Sequence, residues 1–193
     1  MKLIIGLGNP GREYIQTRHN IGYIIIDKLL KDYNLSLKPN LKLKVEYVKS
    51  KDSLNDFILA KSLNYMNLSG ESVLNIASYF KIDFNNILII QDDISLPLGT
   101  IRFRENGTSG GQRGMEDIIK KLGTKEIKRL KIGIGNNPLI DAKDYVLGKL
   151  TKKEIDELME SFIKSSQAIK EYINNQDFSI IMTKYNTPRN NNI

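Results

Sequence analysis

The chain is expected to fold as a single α/β domain. Short apolar runs alternate with amphipathic helical segments along its length, which is the pattern of a sheet covered by helices. Its 193 residues, 40% of them hydrophobic, suffice for one full core, and no internal repeat divides them. The domain is expected over residues 1–185, followed by a polar Asn-rich tail, 186–193, with no means of packing.

The elements are justified in order. Lys2 to Leu7 reads as a buried strand, and Gly22 to Tyr33 as a helix whose stripe is Ile25, Ile26, Leu29 and Leu30. Leu43 to Val48 and Asp56 to Ser62 read as strands, and Leu68 to Phe80 as a helix that Asn67 is placed to cap. Asn86 to Gln91 is a strongly apolar strand and Gly99 to Arg104 another; Met115 to Leu122 is a helix entered through Gly110-Gly111. Arg129 to Gly135 is expected as the last strand, and 136–149 as a polar loop. Thr151 with Glu154 three residues on forms a capping box that opens a long helix to Asn174, and a short apolar turn is expected after Asp177.

Composition excludes several chemistries. There is no Cys, so disulfides and thiolate metal sites are out, and a single His removes imidazole clusters. No zinc or transition-metal centre is expected, while binding of a hard cation by carboxylates stays open. The start of the chain does not read as a signal peptide, and no stretch is long enough to cross a bilayer, so the expectation is a soluble, cytoplasmic protein. The net charge of +7 is compatible with a polyanionic partner, or with a codon bias toward Lys. Basic residues cluster at Lys38, Lys42, Lys44, Lys49 and Lys51, and again at Lys120, Lys121, Lys125, Lys128, Arg129 and Lys131.

His19 is the one side chain whose ordinary pKa suits proton transfer near neutrality, so imidazole chemistry in this chain belongs there or nowhere. The alternative is a packed or surface histidine. Asp92-Asp93 ends an apolar strand and can orient an imidazole, although two Asp before a turn are also an ordinary strand exit. Gly6-Leu7-Gly8-Asn9-Pro10-Gly11 fits a dinucleotide fingerprint. Too few residues separate Gly11 from Ile21 for a crossover, however, and Pro10 has no N–H to give a pyrophosphate. A tight turn presenting Asn9 at a strand end is preferred. Gly107-Thr108-Ser109-Gly110-Gly111 fits a nucleophile elbow, with Ser109, His19 and Asp92 as a triad; its plainer reading is a flexible loop.

The glycine-rich turn with Tyr14 and Thr17-Arg18-His19-Asn20 is followed by Asn64-Tyr65-Met66-Asn67-Leu68-Ser69-Gly70 and then by Asp92-Asp93 with Leu96-Pro97-Leu98-Gly99. Ser109-Gly110-Gly111, Gly114, Leu130 to Gly135 and Tyr145 to Lys149 follow. In this order the chain resembles the bacterial peptidyl-tRNA hydrolases. The resemblance implies a monomer with a mixed, mostly parallel twisted sheet flanked by helices, cleaving the ester between a peptide and the 3′ ribose of tRNA without a cofactor. It assigns His19 as base for water, Asp92 as its orienter, and Asn9 to the substrate near the ester. Tyr14, Tyr65, Met66 and Asn67 would line the peptide and terminal-nucleotide site, and Arg104 and Lys131 would meet the tRNA 5′ phosphate. The chain departs from the better-known members after the paired glycines, where Gln112-Arg113 replaces His-Asn. Arg113 is taken as substrate-binding, and which of the two faces the peptide is left open. A serine hydrolase and a non-catalytic RNA-binding relative are the alternatives.

Overall fold

The computed structural model describes residues 1–186. Seven strands form one sheet in the order β2-β3-β4-β1-β5-β7-β6. They are β1 Lys2–Gly6, β2 Lys38–Asn40, β3 Val45–Asp52, β4 Asn55–Ser62, β5 Ile87–Asp93, β6 Ile101–Arg104 and β7 Lys128–Gly133. The four central strands, β4, β1, β5 and β7, are parallel, and antiparallel pairing adds β3 and β2 at one edge and β6 at the other. The central strands are apolar runs because helices cover both their faces.

One face carries α1 (Ile21–Tyr33), α5 (Lys152–Ile173) and α6 (Phe178–Tyr185), packed over Ile4, Leu59, Leu88, Ile90 and Leu130. The other carries α2 (Ser69–Phe80) and α3 (Arg113–Leu122) over Leu3, Ile5, Ile58, Ile87 and Ile89. Neighbouring strand residues thus feed opposite cores, as the period-two geometry of a strand requires. Burying a Leu or Ile side chain in either core is worth about 1.5–3 kcal/mol. A close backbone seam lies between β1 and α1. A Cβ on Gly22 would fall 2.6 Å from the Ile90 carbonyl oxygen and from Leu7 backbone atoms, and one on Gly6 2.4 Å from the Gly22 oxygen. Backbone therefore rests directly on backbone there.

The alternation expected from the sequence is present, and so is the capping box: Thr151 Oγ1 accepts from Glu154 N, and Glu154 Oε2 accepts from Thr151 N. Four local expectations change. β2 is an added strand. Residues 142–147 of the expected polar loop form a short helix, α4 (Ala142–Leu147), capped by Asp141. The expected apolar turn after Asp177 is α6, with Asp177 accepting from Ser179 N. Asn67 does not cap α2, because a 3-10 turn, Met66–Leu68, precedes that helix; the free N–H of Gly70 goes instead to Asp117 on α3, at 2.8 Å. Of the expected tail, residues 187–193 lie outside those described. Asn186 is structured: its Oδ1 accepts from Phe103 N on the edge strand β6 at 2.6 Å.

Candidate active site

A cleft of about 650 Å³ opens at the carboxyl ends of the parallel strands, against about 270 Å³ for a cavity near Met1 and Lys2 at the opposite end of β1. It sits where the chain leaves β1 on one side and β5 on the other. Open α/β sheets place their ligand sites at such switch points.

The site is built from strand exits. β1 ends into the turn that carries Asn9. Its backbone is clasped by the side chain of Asn20, whose Oδ1 accepts from Asn9 N at 2.8 Å and whose Nδ2 donates to Asn9 O at 2.9 Å. The Asn9 side chain has its Oδ1 occupied by the N–H of Met66, at 2.8 Å. Its amide orientation is thereby set, with the NH2 as the end left to donate. Asn9 is only 7% exposed and borders the cleft.

His19 lies in a 3-10 turn, Arg18–Asn20, that runs directly into α1. Its Nδ1 is 2.8 Å from Oδ2 of Asp92, at the exit of β5. Asp92 is 3% exposed. The carboxylate is an acceptor at that contact, so Nδ1 carries the proton and Nε2 is the basic nitrogen. The turn is fastened to the segment before α5. Arg18 N donates to Gly148 O at 3.0 Å, and Leu150 N to Gln16 O at 2.9 Å. The Arg18 guanidinium bonds Glu154 at 2.6 Å and covers the Tyr145 ring at 4.4 Å. Burial alone would raise the Glu154 carboxyl, but the Thr151 N–H and Arg18 outweigh it and hold it below the usual glutamate range.

The second oxygen of Asp92, Oδ1, accepts from Gln112 Nε2 at 3.1 Å, while Gln112 Oε1 accepts from Met115 N at 2.7 Å and so caps α3. In this pairing the Gln112 amide is turned inward, and Arg113 is the exposed member of the two at the cleft. Sequence reasoning gave Gln112 no part in holding Asp92. A Gln immediately before a helix and directly after a pair of glycines was the available signal.

Of the remaining expected residues, Met66 is buried against the cleft, Tyr65 and Asn67 are exposed on its wall, and Tyr14 meets Tyr65 edge-on at 6.2 Å without lining it. Lys131 lies just outside, bonded to Asp93 Oδ2 at 2.8 Å. Burial would raise Asp93, and Lys131 and Ser95 together hold it down. Arg104 is exposed on the outer strand β6, across from Arg129, and is not part of the lining. Arg129, counted from sequence in a basic segment, is buried instead. Its guanidinium donates to the carbonyls of Ile127, Thr108 and Lys125 at 2.9–3.1 Å, which ties the glycine-rich loop at Thr108 to the segment before β7. Ser109 borders the cleft, and among the described residues no hydrogen bond joins it to His19; its Oγ accepts from Gly111 N at 3.4 Å. No group of three or more His, Cys, Asp or Glu among the described residues could hold a metal ion, and no described helix is long and apolar enough to cross a membrane.

Comparison with known proteins gives one answer. The family model for peptidyl-tRNA hydrolase matches residues 3–192. The peptidyl-tRNA hydrolase of Mycoplasmoides gallisepticum is 45% identical over 188 residues, 96% of this chain and 100% of that protein, and that of Malacoplasma penetrans is 42% identical over 184 residues, 95% and 97%. The crystal structure of peptidyl-tRNA hydrolase from Acinetobacter baumannii superposes with a TM-score of 0.91 at 31% identity, covering 97% of this chain and 95% of that one. With its sheet order, its strand-exit cleft and its near-complete match in sequence, the chain belongs to the peptidyl-tRNA hydrolase family.

Proposed function

We propose that the chain hydrolyses the ester joining a peptide to the 3′ ribose of tRNA, with His19 as general base for water. Family membership supports the reaction. The observation that carries the residue roles is the 2.8 Å contact between His19 Nδ1 and Asp92 Oδ2 inside the cleft.

In this reading water attacks the ester carbonyl carbon and gives its proton to His19 Nε2. Asp92 stabilises the resulting imidazolium. The Asn9 NH2, oriented by Met66 N–H, donates to the oxygen that gains negative charge. The tetrahedral intermediate then breaks its bond to the ribose oxygen, which takes the proton from the imidazolium. The products are the peptide acid and tRNA with a free 3′ hydroxyl. A positioned base supplies about 10²–10⁴-fold and an oxyanion donor about 10²–10³-fold.

Tyr65, Met66 and Asn67 form the wall that would take the peptide and terminal nucleotide, with Tyr14 propping Tyr65. Arg113 and Lys143, both exposed on the rim, suit the phosphates of the acceptor end; Lys131 and Arg104, further out, suit a more distant phosphate. All the proposed catalytic groups come from one chain, which supports action as a monomer, and a peptidyl-tRNA substrate supports action in the cytoplasm.

The test is hydrolysis of N-acetyl-aminoacyl-tRNA by the wild type, His19→Ala and Ser109→Ala. Turnover is expected to fall by about 10³-fold or more in His19→Ala with tRNA binding kept, and to stay at the wild-type level in Ser109→Ala. Near-normal turnover in His19→Ala removes the base reading. Equal loss in both variants favours the serine nucleophile.

A further inference from the structure

The polar groups of the cleft floor form a closed circuit. His19 Nδ1 meets Asp92 Oδ2 at 2.8 Å, and Asp92 Oδ1 meets Gln112 Nε2 at 3.1 Å. Gln112 Nε2 also lies 3.1 Å from Met66 Sδ, Met66 N donates to Asn9 Oδ1, and Asn9 N donates to Asn20 Oδ1. Asn20 follows His19 in the chain and completes the loop. His19 and Asp92 stand at the end of the sheet nearest α1, while Met66 and α3 belong to the opposite face. Gln112 joins the two halves at Asp92, as the Met66 N–H does at Asn9.

Its chemistry suits that place. Because Oε1 is held by the first turn of α3, the amide cannot flip without losing the cap, and the NH2 must face Asp92 and Met66. A neutral donor on Asp92 Oδ1 fixes the carboxylate torsion without bringing a competing charge to the imidazole. We propose that Gln112 is a positioning residue for this reaction: it locks the Asp92 rotamer that orients His19, and it couples the base to the Asn9 donor. The proposal rests on the reading of His19 as base.

Gln112→Ser separates the two jobs of this side chain. Serine is a strong N-cap, so α3 stays capped, but it is too short to reach Asp92. The expected result is a turnover about tenfold lower, since even small losses of alignment are costly, with KM within about twofold and an unchanged melting temperature. The sole histidine supplies an independent readout. The wild type should show one slowly exchanging Nδ1 imidazole proton by NMR, and Gln112→Ser should lose it to solvent exchange. Gln112→Glu keeps the length and the cap acceptor and sets a carboxylate against Asp92; its turnover is expected to fall about a hundredfold. Wild-type turnover with an intact Nδ1 signal in Gln112→Ser overturns the proposal, as does a raised KM with unchanged turnover, which would mark a substrate contact. Should Gln112→Ser melt early, wild-type turnover in Gln112→Glu overturns it instead. A His19→Ala arm keeps the two ideas apart. Full turnover there removes the base reading itself, while loss there beside a normal Gln112→Ser removes the positioning role alone.

Discussion

On the floor of the cleft, Asn9, Met66 and Asp92 are each less than a tenth exposed and are tied together, through Gln112, by hydrogen bonds of 2.8–3.1 Å. Across from it, the rim formed by Gly110, Gly111 and Arg113 and the segment before α4 is open, with Leu139 92% exposed and Gly107, Gly110 and Gly111 all at positive φ. In the proposed reading the two regions answer to different parts of one substrate. The ester is the same in every peptidyl-tRNA, so the groups that act on it gain from being fixed in advance. The peptide varies and the tRNA is a polyanion, so the surface that meets them gains from adaptable side chains and mobile charge.

That contrast is broken most severely by altering the floor. Asn9→Asp keeps the acceptor for Met66 N–H but replaces the donor with a negative charge, so turnover should fall about 10²–10³-fold with KM little changed, as steady-state kinetics on N-acetyl-aminoacyl-tRNA will show. A pure KM effect would move Asn9 to the rim class. Next is Arg18→Leu, which frees the His19 turn from α4 and α5. The lost charge-assisted hydrogen bonds are worth about 2 kcal/mol at pH 7, or about 4–8 °C of melting temperature in a chain of this size. This penalty has a defined pH dependence. The folded Glu154 carboxyl lies below the ordinary value of 4.5, so the pairing is fully present above that pH and is lost as pH falls through the folded value. The difference in stability between Arg18→Leu and wild type should therefore shrink in urea titrations as pH falls from 4.5 through the folded Glu154 value. A constant difference would assign the effect to packing on Tyr145. The smallest change is on the rim. Arg113→Ala should raise KM about threefold at low salt, leave turnover intact, and lose its effect at high ionic strength.

How much of this could be read in advance follows the range of the interactions. β1, β5 and α1 were legible because their burial is written as a local period in the residues. β2 was not, since Lys38-Pro39-Asn40 has no apolar face and exists by pairing with β3. α4 is too short to show a helical period, and α6 was announced only by its cap, Asp177. At the site, His19, Asp92 and Asn9 were legible from residue type, strand exits and family resemblance. The inward turn of Gln112 toward Asp92 was not, because the two are far apart in sequence and meet only once β5 and α3 are packed. The same holds for Asp117, which takes the capping role expected of Asn67.

The contact of Gly22 on Leu7 and Ile90 bears on how this molecule can be controlled. With no side chain between helix and sheet there is no clearance for the helix to slide or tilt, so the imidazole just before it cannot be raised or lowered as a lever. Any change that moves that imidazole has to come through the short turn before the helix, or from Asp92 on the strand beside it, and not through the helix itself.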